Sequence, residues 1–224
     1  MDEVLLIDKP KDWTSFDVVG KIRSQLRTQT GQKVKVGHAG TLDPLATGLL
    51  IVLIGKATKR QDSFMKQDKV YEVSMKLGQT STTADAEGEK TDISDARPTV
   101  AEVQTAVGRF VGTISQVPPA YSAIKVNGQR AYKLARAGKE VAIEPRTVTI
   151  YEIIDLQYNY PQITFTTKVS SGTYIRSLVT DIGDVLGTGA YMSDLRRTAI
   201  GEHTVQNAVA PELAITEVAI PSDN

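Results

Sequence analysis

The sequence predicts an α+β protein built on an antiparallel or mixed sheet, and three observations carry that expectation. Strand-like and helix-like segments mix along the 224 residues without the βαβ regularity of a parallel sheet. Two strand-like runs, Val148 to Tyr158 and Gln162 to Ser170, follow each other directly and join near Pro161. The composition, 41% hydrophobic and 23% charged, is ordinary for a globular chain long enough to bury a sizeable core.

Each element follows from local pattern. Val4 to Ile7 reads as an edge or entry strand ended by Lys9-Pro10. Thr14-Ser15 cap a helix with Asp17 in its first turn and an apolar stripe of Val18, Val19, Ile22 and Leu26. Leu49 to Ile54 is an apolar run of buried-strand type, and Lys56 to Met65 suits a short helix. Val70 to Leu77 alternates as a strand closed by Gly78, and Gln79 to Ala96 is a loop rich in Thr, Asp, Glu and Gly. Pro98-Thr99 start a helix with Val100, Val103 and Val107 on one side. Val117 to Arg146 is irregular, with a tight hairpin at Asn127-Gly128 and a brief helix through Ala131 to Ala135. After the two long strands, Ser171-Gly172-Thr173 lead into a helix with Ile175, Leu178, Val179, Ile182, Val185 and Leu186 inward. A strand pair around Tyr191 to Thr198 and Glu202 to Val205 precedes a short tail. No repeat, low-complexity segment or linker interrupts the chain.

Composition narrows the function classes. The absence of cysteine excludes disulfides and thiolate metal sites and suits a reducing, cytoplasmic setting. The N-terminus has no signal-peptide pattern, and no apolar stretch approaches the roughly 20 residues of a membrane helix. Lys+Arg and Asp+Glu are both 26, which argues against nucleic-acid binding by bulk charge. The distribution is uneven, however. From Tyr121 to Arg146 the cations Lys125, Arg130, Lys133, Arg136, Lys139 and Arg146 outnumber the acids Glu140 and Glu144. A neutral total therefore leaves room for a basic face, which by itself is equally the pattern of a solvated surface.

The stretch Gly37-His38-Ala39-Gly40-Thr41-Leu42-Asp43-Pro44-Leu45-Ala46-Thr47-Gly48 isolates one carboxylate in an otherwise uncharged turn before a core strand. Pro44 restricts the backbone beside Asp43, and the glycines permit sharp turns and close approach of a ligand. Such an aspartate is either a turn cap or a nucleophile or general base, and the local pattern fits both.

Further motifs occur in one order along the chain: Asp8-Lys9-Pro10 with Thr14-Ser15, the Asp43 stretch, and Tyr71 before Leu77-Gly78. Pro118-Pro119-Ala120-Tyr121-Ser122-Ala123-Ile124-Lys125-Val126-Asn127-Gly128, Arg130-Ala131-Tyr132 and Leu134-Ala135-Arg136 follow. The series ends with Gly172-Thr173-Tyr174-Ile175-Arg176-Ser177-Leu178 and Leu195-Arg196-Arg197. From about Leu5 to Gly201 the chain resembles the TruB-type tRNA pseudouridine synthases, which isomerise the uridine at position 55 in the T-arm of tRNA.

The resemblance implies a pseudouridine synthase fold, a twisted mixed sheet flanked by helices and loops with an active cleft across it. It implies a catalytic domain over 1–205, a thumb-like RNA-binding insertion at 117–146 and a short tail at 206–224. By the same resemblance Asp43 is the nucleophile, Arg176 the cation that keeps it ionised, and Tyr71 the ring on which the flipped base stacks and a participant in C5 deprotonation. Tyr174 and Leu195 match positions that line the uridine pocket, and His38 matches one that contacts RNA near the flipped base. Lys125, Arg130, Lys133 and Arg136 are candidates for the RNA backbone, and Asp85 is assigned a turn role. Isomerisation exchanges no electrons and gains no group, so neither cofactor nor metal is expected. The expected partner is the tRNA T-arm stem-loop, with no membrane or protein partner and a monomeric state.

Two departures from the family pattern stand out. Asp12 occupies a position where relatives usually carry glycine, which is expected to alter only a turn. The sequence stops about twenty residues after Gly201, where most relatives continue into a small RNA-binding domain, so weaker or more salt-sensitive tRNA affinity is expected. The rival expectation is a catalytically weak or inactive tRNA-binding or RNA-folding module of the same fold.

Overall fold

A computed structural model describes residues 2–126 and 128–215 of the chain. The elements run β1 (Val4–Lys9), α1 (Ser15–Thr30), β2 (Val36–Ala39), β3 (Thr47–Ile54), a 3-10 helix (Gly55–Arg60), α2 (Gln61–Met65) and β4 (Lys69–Leu77). Next come β5 (Gln79–Ser81), β6 (Lys90–Asp92), α3 (Val100–Gly108), β7 (Gly112–Gln116), β8 (Lys125–Val126), β9 (Gln129–Arg130) and α4 (Ala131–Arg136). β10 (Arg146–Asn159), β11 (Gln162–Val169), α5 (Ile175–Leu186), β12 (Ala190–Ile200) and β13 (His203–Thr204) complete them, before a 3-10 turn at Val205–Asn207. The class is α+β, and the main sheet is mixed, with hydrogen-bonded order β1-β3-β12-β4-β11-β10-β7 and with β2 added to β3 and β13 to β12.

The described residues form two compact units, one drawn from 2–71 with 195–215 and the other from 72–126 with 128–194. In the first, β3 pairs antiparallel with β1 and β2 and parallel with β12, where Thr47 and Gly48 lie opposite Arg196 and Arg197. Both faces of β3 are buried, which explains its unbroken apolar run. Leu50, Val52 and Ile54 pack with the α1 stripe of Val18, Val19, Ile22 and Leu26, together with Ala214 and Ile215. Leu49, Ile51 and Leu53 pack with Phe64, Ile200 and Val205. Thr14 caps α1 by accepting from Asp17 N–H, while the Asp17 carboxylate accepts from Thr14 N–H.

The second unit carries an antiparallel β11-β10-β7 array, with the β10–β11 turn at a cis Tyr160–Pro161 bond. Thr99 and Glu102 form the capping box of α3. The expected hairpin is present, with Lys125 and Val126 paired to Arg130 and Gln129, although Asn127 itself lies outside the described residues.

Several expectations need correction. The segment 79–96 is not all loop, because β5 and β6 pair within it from Gln79↔Asp92 to Ser81↔Lys90. β2 and β7 are strands too short and too polar for the alternation rule to reveal. The 56–65 helix divides into a 3-10 segment and one short α-helix. Val100 is exposed, since the buried face of α3 is Val103, Ala106 and Val107. Val185 is exposed in a groove shared with Ala101, Thr105 and Arg109, because the buried stripe of α5 ends at Gly183, pressed against Ala190. Among the described residues no helix is long and apolar enough to cross a membrane.

Candidate active site

Asp43 sits half-buried in the short connection between β2 and β3, and its neighbours Leu42 and Leu45 are buried on either side. The connection is fastened at several points. Ser15, at the start of α1, donates its hydroxyl to Leu42 C=O at 3.0 Å and accepts from Leu42 N–H at 2.9 Å. Asp12 N–H donates to Pro44 C=O at 2.9 Å, and Ala46 N–H donates back to Asp43 C=O at 3.1 Å. Asp12 holds φ at 66°, a left-handed conformation that glycine adopts without penalty, so the turn keeps its shape and an L-residue bears the strain.

Two buried cations complete the frame. The Lys9 ammonium donates to Pro10, Trp13 and Pro44 carbonyls at 2.8, 2.6 and 3.3 Å. Burial pushes its pKa down to about 8, and the Asp43 carboxylate is the strongest of the charges opposing that fall. Arg197 is buried, with Nε donating to Leu49 C=O at 2.8 Å and Nη2 to Gly40 C=O at 3.0 Å. It therefore ties both ends of the Asp43 connection to β12. Beside it, Arg196 forms a two-armed pair with Asp8 at 3.1 and 2.8 Å. Gly48 makes this approach possible: its φ is 99°, and a Cβ there would lie 2.3 Å from the Arg197 carbonyl oxygen.

His38 lies on β2, half-buried, with Nδ1 buried and without a hydrogen-bond partner. Burial lowers its pKa, and the Arg197 charge lowers it further, so the imidazole is neutral at pH 7. Its ring meets Phe16 edge-on at 5.5 Å between centroids. Tyr71 at the start of β4 and Leu195 on β12 are both buried, on strands adjacent in the sheet order.

The unit 72–194 holds the other expected residues. Arg176, in the first turn of α5, is buried and donates to Thr83 C=O at 3.2 Å and Tyr121 C=O at 2.9 Å. Its Nε lies 3.9 Å from the buried Asp85 carboxylate, which also accepts from Glu87 N–H at 3.0 Å and from the Thr83 hydroxyl. Asp85 thus shapes its turn as expected and in addition faces Arg176. Tyr174 precedes α5 and is gripped on its backbone by buried Gln116, whose amide donates to Tyr174 C=O at 3.1 Å and accepts from Tyr174 N–H at 2.8 Å. The Arg146 guanidinium stacks over the Tyr174 ring at 4.6 Å.

Lys125, Arg130, Lys133 and Arg136 are all exposed or half-buried on the β8–β9 hairpin and α4. Arg130 donates to Ala123 C=O at 3.1 Å, and Arg136 lies over the Tyr132 ring at 5.7 Å. Among the described residues no cluster of three or more His, Asp or Glu side chains has the arrangement of a metal site.

Sequence reasoning singled out Asp43 and missed the frame around it. Lys9 and Arg197 stood out only as parts of motifs, and Gln116 not at all, since nothing in one sequence marks a polar residue as fully buried.

Residues 26–175 match the family described as TruB family pseudouridylate synthase (N terminal domain), and residues 176–213 match that described as tRNA pseudouridylate synthase B C-terminal domain. A protein named tRNA pseudouridine synthase B from Parabacteroides distasonis is 48% identical over 212 residues, 94% of this chain and 90% of its own length. One of the same name from Phocaeicola vulgatus is 45% identical over the same shares. Among solved structures, the Cbf5-Nop10-Gar1 complex contains a chain 31% identical with a TM-score of 0.67, covering 90% of this chain and 49% of that one.

Proposed function

We propose that this chain, which belongs to the TruB family of pseudouridylate synthases, converts uridine to pseudouridine at position 55 in the T-arm of tRNA, with Asp43 as nucleophile. The supporting observation is the fastening of the Asp43 connection. Leu42, Pro44 and Gly40 are each tied by hydrogen bonds to α1, Lys9 or Arg197, so the carboxylate is presented from a backbone with little freedom to retreat. The tRNA substrate is supported by the names of relatives that match this chain over nearly their whole length.

The chemistry breaks the N1–C1′ bond of uridine, turns the uracil, joins C5 to C1′ and releases the C5 proton. Asp43 forms a covalent adduct at ribose C1′ or uracil C6. The target uridine leaves the T-loop stack to reach it. Tyr71 stacks on the extruded base, Tyr174 and Leu195 line its pocket, and His38 contacts the RNA beside it. Arg176 supplies the positive charge that keeps the nucleophile ionised. Lys125, Arg130, Lys133 and Arg136 meet phosphates of the stem-loop.

The test is incubation with an unmodified tRNA transcript, without metal or cofactor, followed by mapping of pseudouridine, with Asp43→Asn alongside. The expected result is stoichiometric product at the single T-arm uridine, abolished in Asp43→Asn while RNA binding persists. Binding without product from the unsubstituted protein would refute the enzyme reading and leave an RNA-binding module.

A further inference from the structure

Phe16 is the most exposed large hydrophobic residue among those described, at 74%, while the next, Val100, stands at 55%. Single exposed apolar residues are common and carry no meaning alone. This one is distinguished by where it is held. It is the second residue of α1, whose start is locked by the Thr14–Asp17 capping box. The preceding residue, Ser15, exchanges two hydrogen bonds with Leu42, next to Asp43. Phe16 therefore has a fixed place relative to the acid, with no flexible segment between them.

Its partner is equally telling. One edge contact, with His38 at 5.5 Å and 89°, steadies the ring and leaves most of its surface to solvent. The α1 residues around it, Asp17, Gly20, Lys21 and Ser24, are exposed and polar or small. A protein partner or a second copy of this chain would call for an apolar patch, and a single ring among polar residues does not make one. A flat, isolated aromatic face suits one flat, isolated ligand surface. Extruding a nucleotide strips a stacking partner from its neighbours in the RNA, creating a surface of that kind beside the base being modified.

We propose that Phe16 is a substrate-binding residue that stacks on an unpaired base next to the extruded uridine, taking the uridine's place as that base's stacking neighbour. This rests on the reading of Asp43 as the residue that receives the uridine. Stacking is indifferent to base identity, so Phe16 contributes affinity for the opened loop and not sequence choice. His38 has a second role in this arrangement, as the support of the ring.

The test compares Phe16→Ala, Phe16→Leu and Phe16→Trp with the unsubstituted protein. T-arm stem-loops carrying 2-aminopurine at a position flanking the target are titrated, with single-turnover pseudouridine formation measured in parallel. All three variants should melt with the unsubstituted protein, because the side chain is exposed. Phe16→Ala and Phe16→Leu should weaken RNA binding roughly 5- to 150-fold and lose the fluorescence quench, while Phe16→Trp restores both. Unchanged affinity and quench in Phe16→Ala overturn the proposal. Full rescue by Phe16→Leu also overturns it, since that would show an apolar contact without stacking. If the unsubstituted protein binds the RNA but forms no pseudouridine, the enzyme reading fails, while the quench still reports directly on Phe16.

Discussion

Gln116 offers the sharpest test of how the second unit is organised. The side chain is fully buried and holds Tyr174 through its backbone N–H and C=O, at 2.8 and 3.1 Å. Gln116→Leu keeps the volume and removes both bonds. The Tyr174 carbonyl retains a second donor, Leu178 N–H at 3.1 Å, so its loss is an ordinary net hydrogen bond of about 1 kcal/mol. Among the described residues the Tyr174 N–H has no second acceptor, and leaving this part-buried donor unsatisfied costs up to roughly 1–3 kcal/mol. The sum is about 2–4 kcal/mol, equivalent to a fall of roughly 5–15 °C in melting temperature at this chain length. Tyr174 leads directly into the turn that carries Arg176, so a shift of about 1 Å there should lower kcat/KM by up to roughly 100-fold even where the protein remains folded. Thermal melts and single-turnover pseudouridine formation measured well below the transition separate the two effects. Gln116→Glu adds a sign test: an ionised carboxylate still accepts from Tyr174 N–H but meets the Tyr174 carbonyl without a proton to offer. Its deficit should shrink as pH falls toward the carboxylate range. A Gln116→Leu protein that melts and turns over like the unsubstituted one would sink the argument that this clamp positions α5.

Two further outcomes follow from geometry and titration. Gly48→Ala places a methyl 2.3 Å from the Arg197 carbonyl oxygen at a φ of 99°, so the β3–β12 pairing must open, and a loss of more than about 4 kcal/mol, seen as insoluble or unfolded protein by circular dichroism, is expected. Asp181 lines a cleft of about 300 Å³ with Thr80, Thr83, Tyr121 and Ser177. Burial, and to a lesser extent the Asp184 charge, raise its pKa from 3.8 to about 6. The folded state binds the extra proton, so stability should fall as pH rises from about 4 to 6 and level off above. Asp181→Asn should remove that slope and raise the melting temperature at pH 7 by roughly 2–4 °C, taking about 1 kcal/mol after allowance for solvent screening. A pH–melting profile identical to that of the unsubstituted protein would assign the slope to other groups.

The elements that could be read from the sequence are those whose periodicity is enforced by burial. The α1 stripe, the both-faces-buried β3 and the alternating β4 each follow a pattern that packing dictates, and all three form close to where it places them. The misses share a cause. β2 and β7 are short strands whose registry comes from neighbours, with β2 held along β3 and β7 along β10 from Arg146↔Gln116 to Ile150↔Gly112. Their residues state no preference strong enough to be seen without the partner. Val100 and Val185 fail for the complementary reason: helical spacing says which residues share a face, and only the packed neighbour says where along the helix that face ceases to be covered.

The candidate site divides along the same line. Asp43 stands out in the sequence because it contrasts chemically with its surroundings, one acid between leucines and beside a proline, and contrast is local. The frame that holds it consists instead of long-range bonds from cations to main-chain oxygens: Lys9 to Pro44, 35 residues away, and Arg197 to Gly40, 157 residues away. A carbonyl is present at every position, so nothing in the sequence marks the ones that will be chosen, and Arg197 reads as surface charge beside Arg196. Burying these cations is costly, as the lowered pKa of Lys9 records, and main-chain oxygens satisfy their donors. That arrangement has a consequence for the acid. A frame made of lysine and arginine bound to carbonyls fixes the backbone on both sides of Asp43 through main-chain atoms. On the proposed reading of Asp43 as nucleophile, rigidity of the loop is supplied by carbonyl oxygens and reactivity by the carboxylate, so one set of atoms holds the aspartate and another does the chemistry.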